Sequence, residues 1–206
     1  MPILQVMRER SRFVDLKDPI HGLGTSEHCS SISCGSGQRL LTWDIRSRDN
    51  INVYNIGDQV RSTAIASSGM LVAVGTENGR VIMKDLRDPK GSPWEITEFD
   101  DPVTALRFSD TDNLLGCGSK QGGVELVDVT SRGILRMSDV GSEVTSLKFS
   151  QSGHNLFVGF RGGLVIMEAV EIWKPLSRQQ RLEPKCVSKC DFSRFSSRKE
   201  DSYMFN

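Results

Sequence analysis

The chain has 206 residues, with 26 Lys plus Arg against 26 Asp plus Glu and five cysteines. That length suits one domain with a substantial core, or one domain plus a tail, and is short for two domains. The balanced charge excludes a strong global field toward nucleic acid, membrane or acidic ligands, so charge-driven contacts have to be local.

Residues 1–17 carry only a brief apolar run before Arg8, Glu9 and Arg10, too short for a signal-peptide core or a spanning helix. They read as an N-terminal strand and lead-in. From 18 to 173 the chain repeats itself. The strings ISCGSGQRLLTWDI, VAVGTENGRVIMKDL, LGCGSKQGGVELVDV and FVGFRGGLVIMEAV align at a period close to forty-one, with glycines at Gly35, Gly75, Gly118 and Gly159. Asp44, Asp85, Asp128 and Glu168 hold the same phase, as do Ile20, Val60, Val103 and Val144 ahead of the glycines. A period of 40 to 45 residues is the length of one four-stranded propeller blade.

Each unit reads as short strands. VTALRFS (103–109) and VTSLKFS (144–150) are nearly identical apolar strands bounded by polar turns. LLGCGS and GGVELVDV are joined by a glycine-containing turn suited to a hairpin. No long stretch shows a helical period. The predicted units are 18–57, 58–99, 100–140 and 141–173. Leu106, Phe108, Leu147 and Phe149 are predicted to be buried, and Cys34 and Cys117 to be small core residues. Trp43 is assigned to the core, whereas Trp94 and Trp173 fall near outer strands and are expected to face solvent. Residues 174–206 lose this alternation. With eight basic and four acidic residues they are predicted to be a flexible, disordered basic tail.

Phe108-Ser109, Phe149-Ser150, Ser68-Gly69, Ser152-Gly153, Gly118-Ser119 and Trp43-Asp44 resemble the WD-repeat family. The resemblance covers residues 18 to about 173. It implies an all-β propeller of about four four-stranded antiparallel blades. Only one unit keeps Trp-Asp; the others have Lys84-Asp85, Val127-Asp128 and Met167-Glu168. The family's Gly-His pair is replaced by Gly57-Asp58, Asp100-Asp101 and Gly141-Ser142, and its hairpin aspartate is absent. The family's buried tetrad therefore cannot assemble, and the blades are expected to depend on apolar packing. Three outcomes follow from the blade number: a natural four-bladed ring, part of a longer propeller, or an open half completed by a partner. An open or partial propeller is preferred. In a closed ring, SRFVDL (11–16) would supply the outer strand of the last blade.

Catalytic and metal chemistry find little footing. GCGSKQGG (116–123) lacks the Lys-Ser/Thr and helix of a phosphate loop and reads as a hairpin. His21, His28 and His154 lie at different repeat positions, and Cys186 with Cys190 would give half a zinc site. No catalytic residue, cofactor, metal or small-molecule substrate is expected. The odd cysteine count and the lack of any Asn-x-Ser/Thr glycosylation site point to a reducing interior, cytoplasmic or nuclear.

The resemblance implies a non-catalytic scaffold or adaptor within a larger intracellular complex, working through protein partners, one of which would complete the propeller. The face the family uses most is built from the loops before the first strand and the hairpins between the second and third. On it the candidate partner-binding residues are Arg39, Glu77, Asn78, Arg80, Asp101, Lys120, Glu143, Phe160 and Arg161. The alternative is an RNA- or chromatin-associated component whose basic hairpins and tail contact phosphates; such binding would fall steeply with salt.

Overall fold

The computed structural model describes residues 18–26, 31–44 and 51–168, and the regular elements in them are all β-strands. The expectations for the lead-in, the tail, His28, Cys186, Cys190 and Trp173 lie outside these residues. Four antiparallel sheets follow one another. The first comprises β1 (Ile20–Thr25), β2 (Ser31–Ser36), β3 (Arg39–Asp44) and β4 (Ile51–Asn55). The second comprises β5 (Val60–Ile65), β6 (Leu71–Thr76), β7 (Arg80–Asp85) and β8 (Trp94–Glu98). The third comprises β9 (Val103–Phe108), β10 (Leu114–Ser119), β11 (Gly123–Asp128) and β12 (Gly133–Asp139). The fourth has three strands among the described residues, β13 (Val144–Phe149), β14 (Asn155–Phe160) and β15 (Gly163–Glu168). Short strands joined by tight turns pair with their sequence neighbours, so each sheet is a simple meander.

The sheets stack as propeller blades. β5 packs on β1 and β2, β9 on β5 and β6, and β13 on β9 and β10. No comparable packing joins β13–β15 to β1–β4 among the described residues, so the ring is open there. The core accordingly forms three layers, one per junction. Leu40 and Ile56 meet Val60, Ile65, Val72, Val74 and Ile82 at the first. At the second, Ala64, Val81 and Met83 meet Leu106, Phe108 and Cys117. At the third, Ala105, Val124 and Leu126 meet Val144, Phe149, Leu156 and Val158.

The repeated glycine sets the spacing of these layers. Each occupies the fifth position of a second strand, beside a bulge in the first strand between Ile20/Gly22, Val60/Ser62, Val103/Ala105 or Val144/Ser146. A Cβ at Gly35 would lie 2.2 Å from Val60 Cγ1, at Gly75 2.6 Å from Val103 Cγ1, and at Gly118 2.4 Å from Val144 Cγ1. Each glycine thus receives the aliphatic residue that opens the next blade.

Phe108, Leu106, Phe149, Cys34 and Cys117 are buried. Leu147 is only half-buried, because it packs over Gly116, which offers no side chain to cover it. Trp43 is half-buried rather than enclosed. Trp94 departs from expectation: it packs against the second core layer, with the Arg132 guanidinium 4.5 Å over its ring. Lys84, in the position of Trp43, is buried and donates from Nζ to the carbonyls of Asp88, at 2.6 Å, and Gly91.

The expected apolar packing forms a layer at each junction, and a recurring set of polar ties adds to it. Thr76 Oγ1 accepts from Arg80 N–H at 3.0 Å and Ser119 Oγ from Gly123 N–H at 3.1 Å, closing their hairpins. Between blades, Ser62 Oγ donates to Val103 O at 2.9 Å and Thr104 Oγ1 to Val144 O at 2.6 Å. Asp112, at φ 60°, accepts from Ser67 and Ser68 N–H of the preceding blade, at 2.6 and 2.9 Å. A local polar residue tolerates that left-handed conformation better than a bulky one.

Candidate interaction face

The loops before the first strands and the hairpins between the second and third lie together, because each hairpin is tied back to its own loop. Glu77 N–H donates to Gln59 O at 2.8 Å, Lys120 N–H to Pro102 O at 2.9 Å, and Arg161 N–H to Glu143 O at 3.0 Å. Side chains reinforce this pattern. Arg39 lies 3.5 Å from Asp18, Arg80 3.9 Å from Asp58, and Arg161 3.4 Å from Glu143. Asp58 Oδ1 also accepts from Asn78 Nδ2 at 2.9 Å, while Asp101 Oδ2 accepts from the Gln121 N–H.

Asp58 and Asp101 therefore do by carboxylate what a loop residue must do to satisfy a neighbouring hairpin. Asp58 is buried, so it serves as a clasp rather than as part of an open acidic rim. The fourth blade has Ser142 at this place, and Glu143 makes the ion pair instead.

The structure brings Glu77, Asn78, Arg80, Asp101, Lys120, Glu143, Phe160 and Arg161 onto the hairpin side of the last three blades, with Arg39 in the matching place on the first. Lys120, Asn78, Arg39 and Arg161 are exposed; Glu77, Arg80, Asp101, Glu143 and Phe160 are half-buried. Sequence reasoning missed the second residue of each inner strand. Arg61, Thr104 and Thr145 occupy this bulge position and line a pocket of ≈ 380 Å³ with Pro102, Lys120, Glu143 and Val144. The signal was their place immediately after each opening valine, inside a strand rather than in a loop. Arg61 Nη2 donates to Glu77 Oε1 at 3.1 Å, with a second contact from Nε. The hydrogen bonds from Arg61 hold the Glu77 carboxyl below its ordinary pKa, outweighing its partial burial. The string at 116–123 is a β-hairpin, as its turn chemistry suggested.

Four meander blades around one axis, with loop and hairpin residues gathered on one side, define a β-propeller. A profile of the anaphase-promoting complex subunit 4 WD40 domain matches residues 71–152. Mouse echinoderm microtubule-associated protein-like 1 is 27% identical over 113 residues, 53% of this chain and 14% of that protein. The β-propeller domain of Myceliophteria thermophila Cps50 (Swd1) superposes with a TM-score of 0.61 at 16% identity, covering 69% of this chain and 49% of that one. The computationally designed Ika4 protein superposes with a TM-score of 0.64 at 20% identity, covering 78% of this chain and 99% of that one. The chain thus spans a small part of its mouse relative and about half of the Cps50 propeller domain. Its fold is a β-propeller, and its residues 71–152 are similar to a WD40 domain, a class that in general serves protein interaction.

Proposed function

We propose that the chain is a non-catalytic scaffold or adaptor subunit of a larger intracellular complex, and that it holds an extended, mixed-charge segment of a protein partner over the pocket at Arg61, Thr104 and Thr145. The observation that carries this reading is the pocket itself. Its wall is apolar at Pro102 and Val144, its rim is basic at Lys120 and acidic at Glu143, and its backbone is fixed by the hairpin ties. Rigid loops of this kind lose little entropy on binding. The pairing of Arg39, Arg80 and Arg161 with carboxylates favours a protein ligand over a polyphosphate, since those cations are already partly neutralised. Buried, free Cys34 and Cys117 support a reducing compartment, cytoplasmic or nuclear.

The experiment is fluorescence anisotropy with labelled peptides of graded charge, at two salt concentrations. Peptides carrying both signs should bind best, and Lys120→Glu should weaken them by about tenfold, or 1.4 kcal/mol. Unchanged binding in Lys120→Glu would remove the pocket from the reading. Preference for a ribohomopolymer with a steep salt slope would replace it with the nucleic-acid alternative.

A further inference from the structure

The longest connection in the second blade, residues 86–93 between β7 and β8, is pinned at its base and free at its tip. The buried Lys84 ammonium donates to the carbonyls of Asp88, at 2.6 Å, and Gly91, and the Gly91 N–H donates to Asp88 Oδ1 at 2.9 Å. Past Gly91 these ties stop. Ser92 and Pro93 are exposed, and the β7–β8 ladder starts only at Trp94, opposite Met83. The Ser92 hydroxyl makes no hydrogen bond among the described residues.

Ser92-Pro93 is also the one serine or threonine followed by proline in the 206 residues. Proline steers the residue before it away from the helical region and offers no N–H of its own. The serine is thereby biased to extended backbone, and the peptide group after it demands no acceptor. An enzyme groove that supplies no acceptor at that place admits proline and rejects other residues.

The charge around Ser92 suits an added anion. The acids nearby are already engaged: Asp85 pairs with Arg87 at 2.6 Å, Asp88 holds Gly91, and Glu95 lies 3.9 Å from Arg80. Three cations make no ion pair among the described residues: Lys84 behind the loop, exposed Lys90 two residues before Ser92, and exposed Arg132. Arg132 belongs to the β11–β12 turn of the third blade, at φ 56°, and its guanidinium lies 4.5 Å over the Trp94 ring. Trp94 follows Ser92 by two residues, a spacing that puts both side chains on one side of an extended backbone.

We propose that Ser92 is a phosphorylation site for a proline-directed protein kinase, and that its phosphate ties the 86–93 loop to Arg132 of the third blade. In the transfer, Ser92 Oγ forms a bond to the γ-phosphorus of a nucleoside triphosphate as the bond from that phosphorus to the β–γ bridging oxygen breaks. The hydroxyl proton passes to the kinase's base, and nucleoside diphosphate leaves. The product brings about two negative charges and three acceptor oxygens to the loop. The Lys90 ammonium and the Arg132 guanidinium supply the charge-assisted donors that such a group takes. The hairpin pocket plays no part in this site.

The test incubates the full chain with ATP and a purified mitogen-activated protein kinase, and locates the phosphoryl group by peptide mass spectrometry. Ser92 of the folded chain should be modified at a rate within about tenfold of that for a free peptide of residues 86–96. Pro93→Ala should slow this reaction at least about tenfold, and Ser92→Ala should leave the loop unmodified. Both exchanges alter exposed side chains, so the β circular-dichroism spectrum should stay as it is. In urea, the phosphorylated chain should unfold at a higher midpoint than the unmodified one, and Arg132→Gln should remove that gain. A folded chain that takes up no phosphate at Ser92, whether or not the peptide does, would overturn the proposal. So would modification indifferent to Pro93→Ala, or a midpoint that phosphorylation does not raise.

Discussion

A β-carbon on Gly75 would lie 2.7 Å from Cβ of Val103, the residue that opens the next blade. Two carbons cannot pack that closely, and the second atom in the way, Ser62 Oγ, is held by its own bond to Val103 O. Gly75→Ala should therefore push the second and third blades apart and lower stability by about 1–3 kcal/mol. Gly133→Ala is the control, because its Cβ would meet only Ser131 Oγ at 3.3 Å. It should stay within about 0.5 kcal/mol in urea denaturation. Val103→Ala combined with Gly75→Ala should cost less than the sum of the two single losses, since the 2.6 Å contact with Val103 Cγ1 is removed although Cβ stays.

The Arg61–Glu77 pair gives stability a defined dependence on pH. The Glu77 carboxyl titrates below its ordinary value, chiefly because Arg61 hydrogen-bonds its charged form. The folded state then binds this proton less readily than the unfolded state. The contribution is fully present above the ordinary glutamate pKa, about 4.3, and is lost as pH falls through the lower folded value. Both side chains are more than one-third exposed, so solvent screening keeps the effect small. Urea midpoints measured from pH 6 down to about 3 should fall less steeply in Glu77→Gln than in the wild type, with the two curves closest at the acid end.

The blade period, the strand order and the phase of the glycines and opening valines were legible because they depend on local spacing, whereas the packing of each valine into a glycine of the preceding blade was not. Three landmarks in phase specify a meander, and a meander specifies its own pairing. The clasps were not legible to the same degree. Asp101 reads as a partner-binding residue of the face, and only the hydrogen bonds show that its carboxylate, like that of Asp58, turns inward to a hairpin. Arg61 and Thr104 were missed for another reason: a bulge rotates a strand residue toward the pocket, and a pattern of alternation cannot reveal it. Trp94 read as solvent-facing because outer strands usually are, whereas Arg132 and the second core layer cover it here.

Cys117 should be chemically silent in the folded protein. It is 0% exposed, and burial first, then the nearby Glu125 charge, pushes its thiol well above the ordinary range. Thiolate, the reactive form, is therefore scarce even in mild alkali. Mass-resolved iodoacetamide labelling at about pH 8 should modify Cys117 only after denaturant is added. A raised thiol pKa also means that the folded state keeps a proton the unfolded state releases. Its contribution is constant below about pH 8.5 and is lost as pH rises beyond it. Rapid native-state labelling of Cys117 would show that the junction between the second and third blades opens readily.

Lys84 stands in register with Trp43, Val127 and Met167, each opposite the first or second residue of the neighbouring strand. A charge at an interblade position is costly unless its donors are met. Here the ammonium turns to the loop after β7, reaching the carbonyls of Asp88 and Gly91, and lies 5.1 Å from the centre of the Tyr54 ring. Its aliphatic stem fills the space a tryptophan or methionine fills in the other blades. Lys84→Met keeps that stem and removes the donors, leaving two carbonyls of the 88–91 turn to find water, so it should cost about 1–3 kcal/mol. Lys84→Glu buries a charge among acceptors and should cost about 3–5 kcal/mol, comparable to breaking a buried ion pair. Guanidinium denaturation with an unchanged slope would measure both. If Lys84→Met proved as stable as the wild type, the ammonium would contribute no more than its stem does, and the 88–91 turn would have to be held by its own Asp88 carboxylate, which already accepts from Gly91 N–H at 2.9 Å.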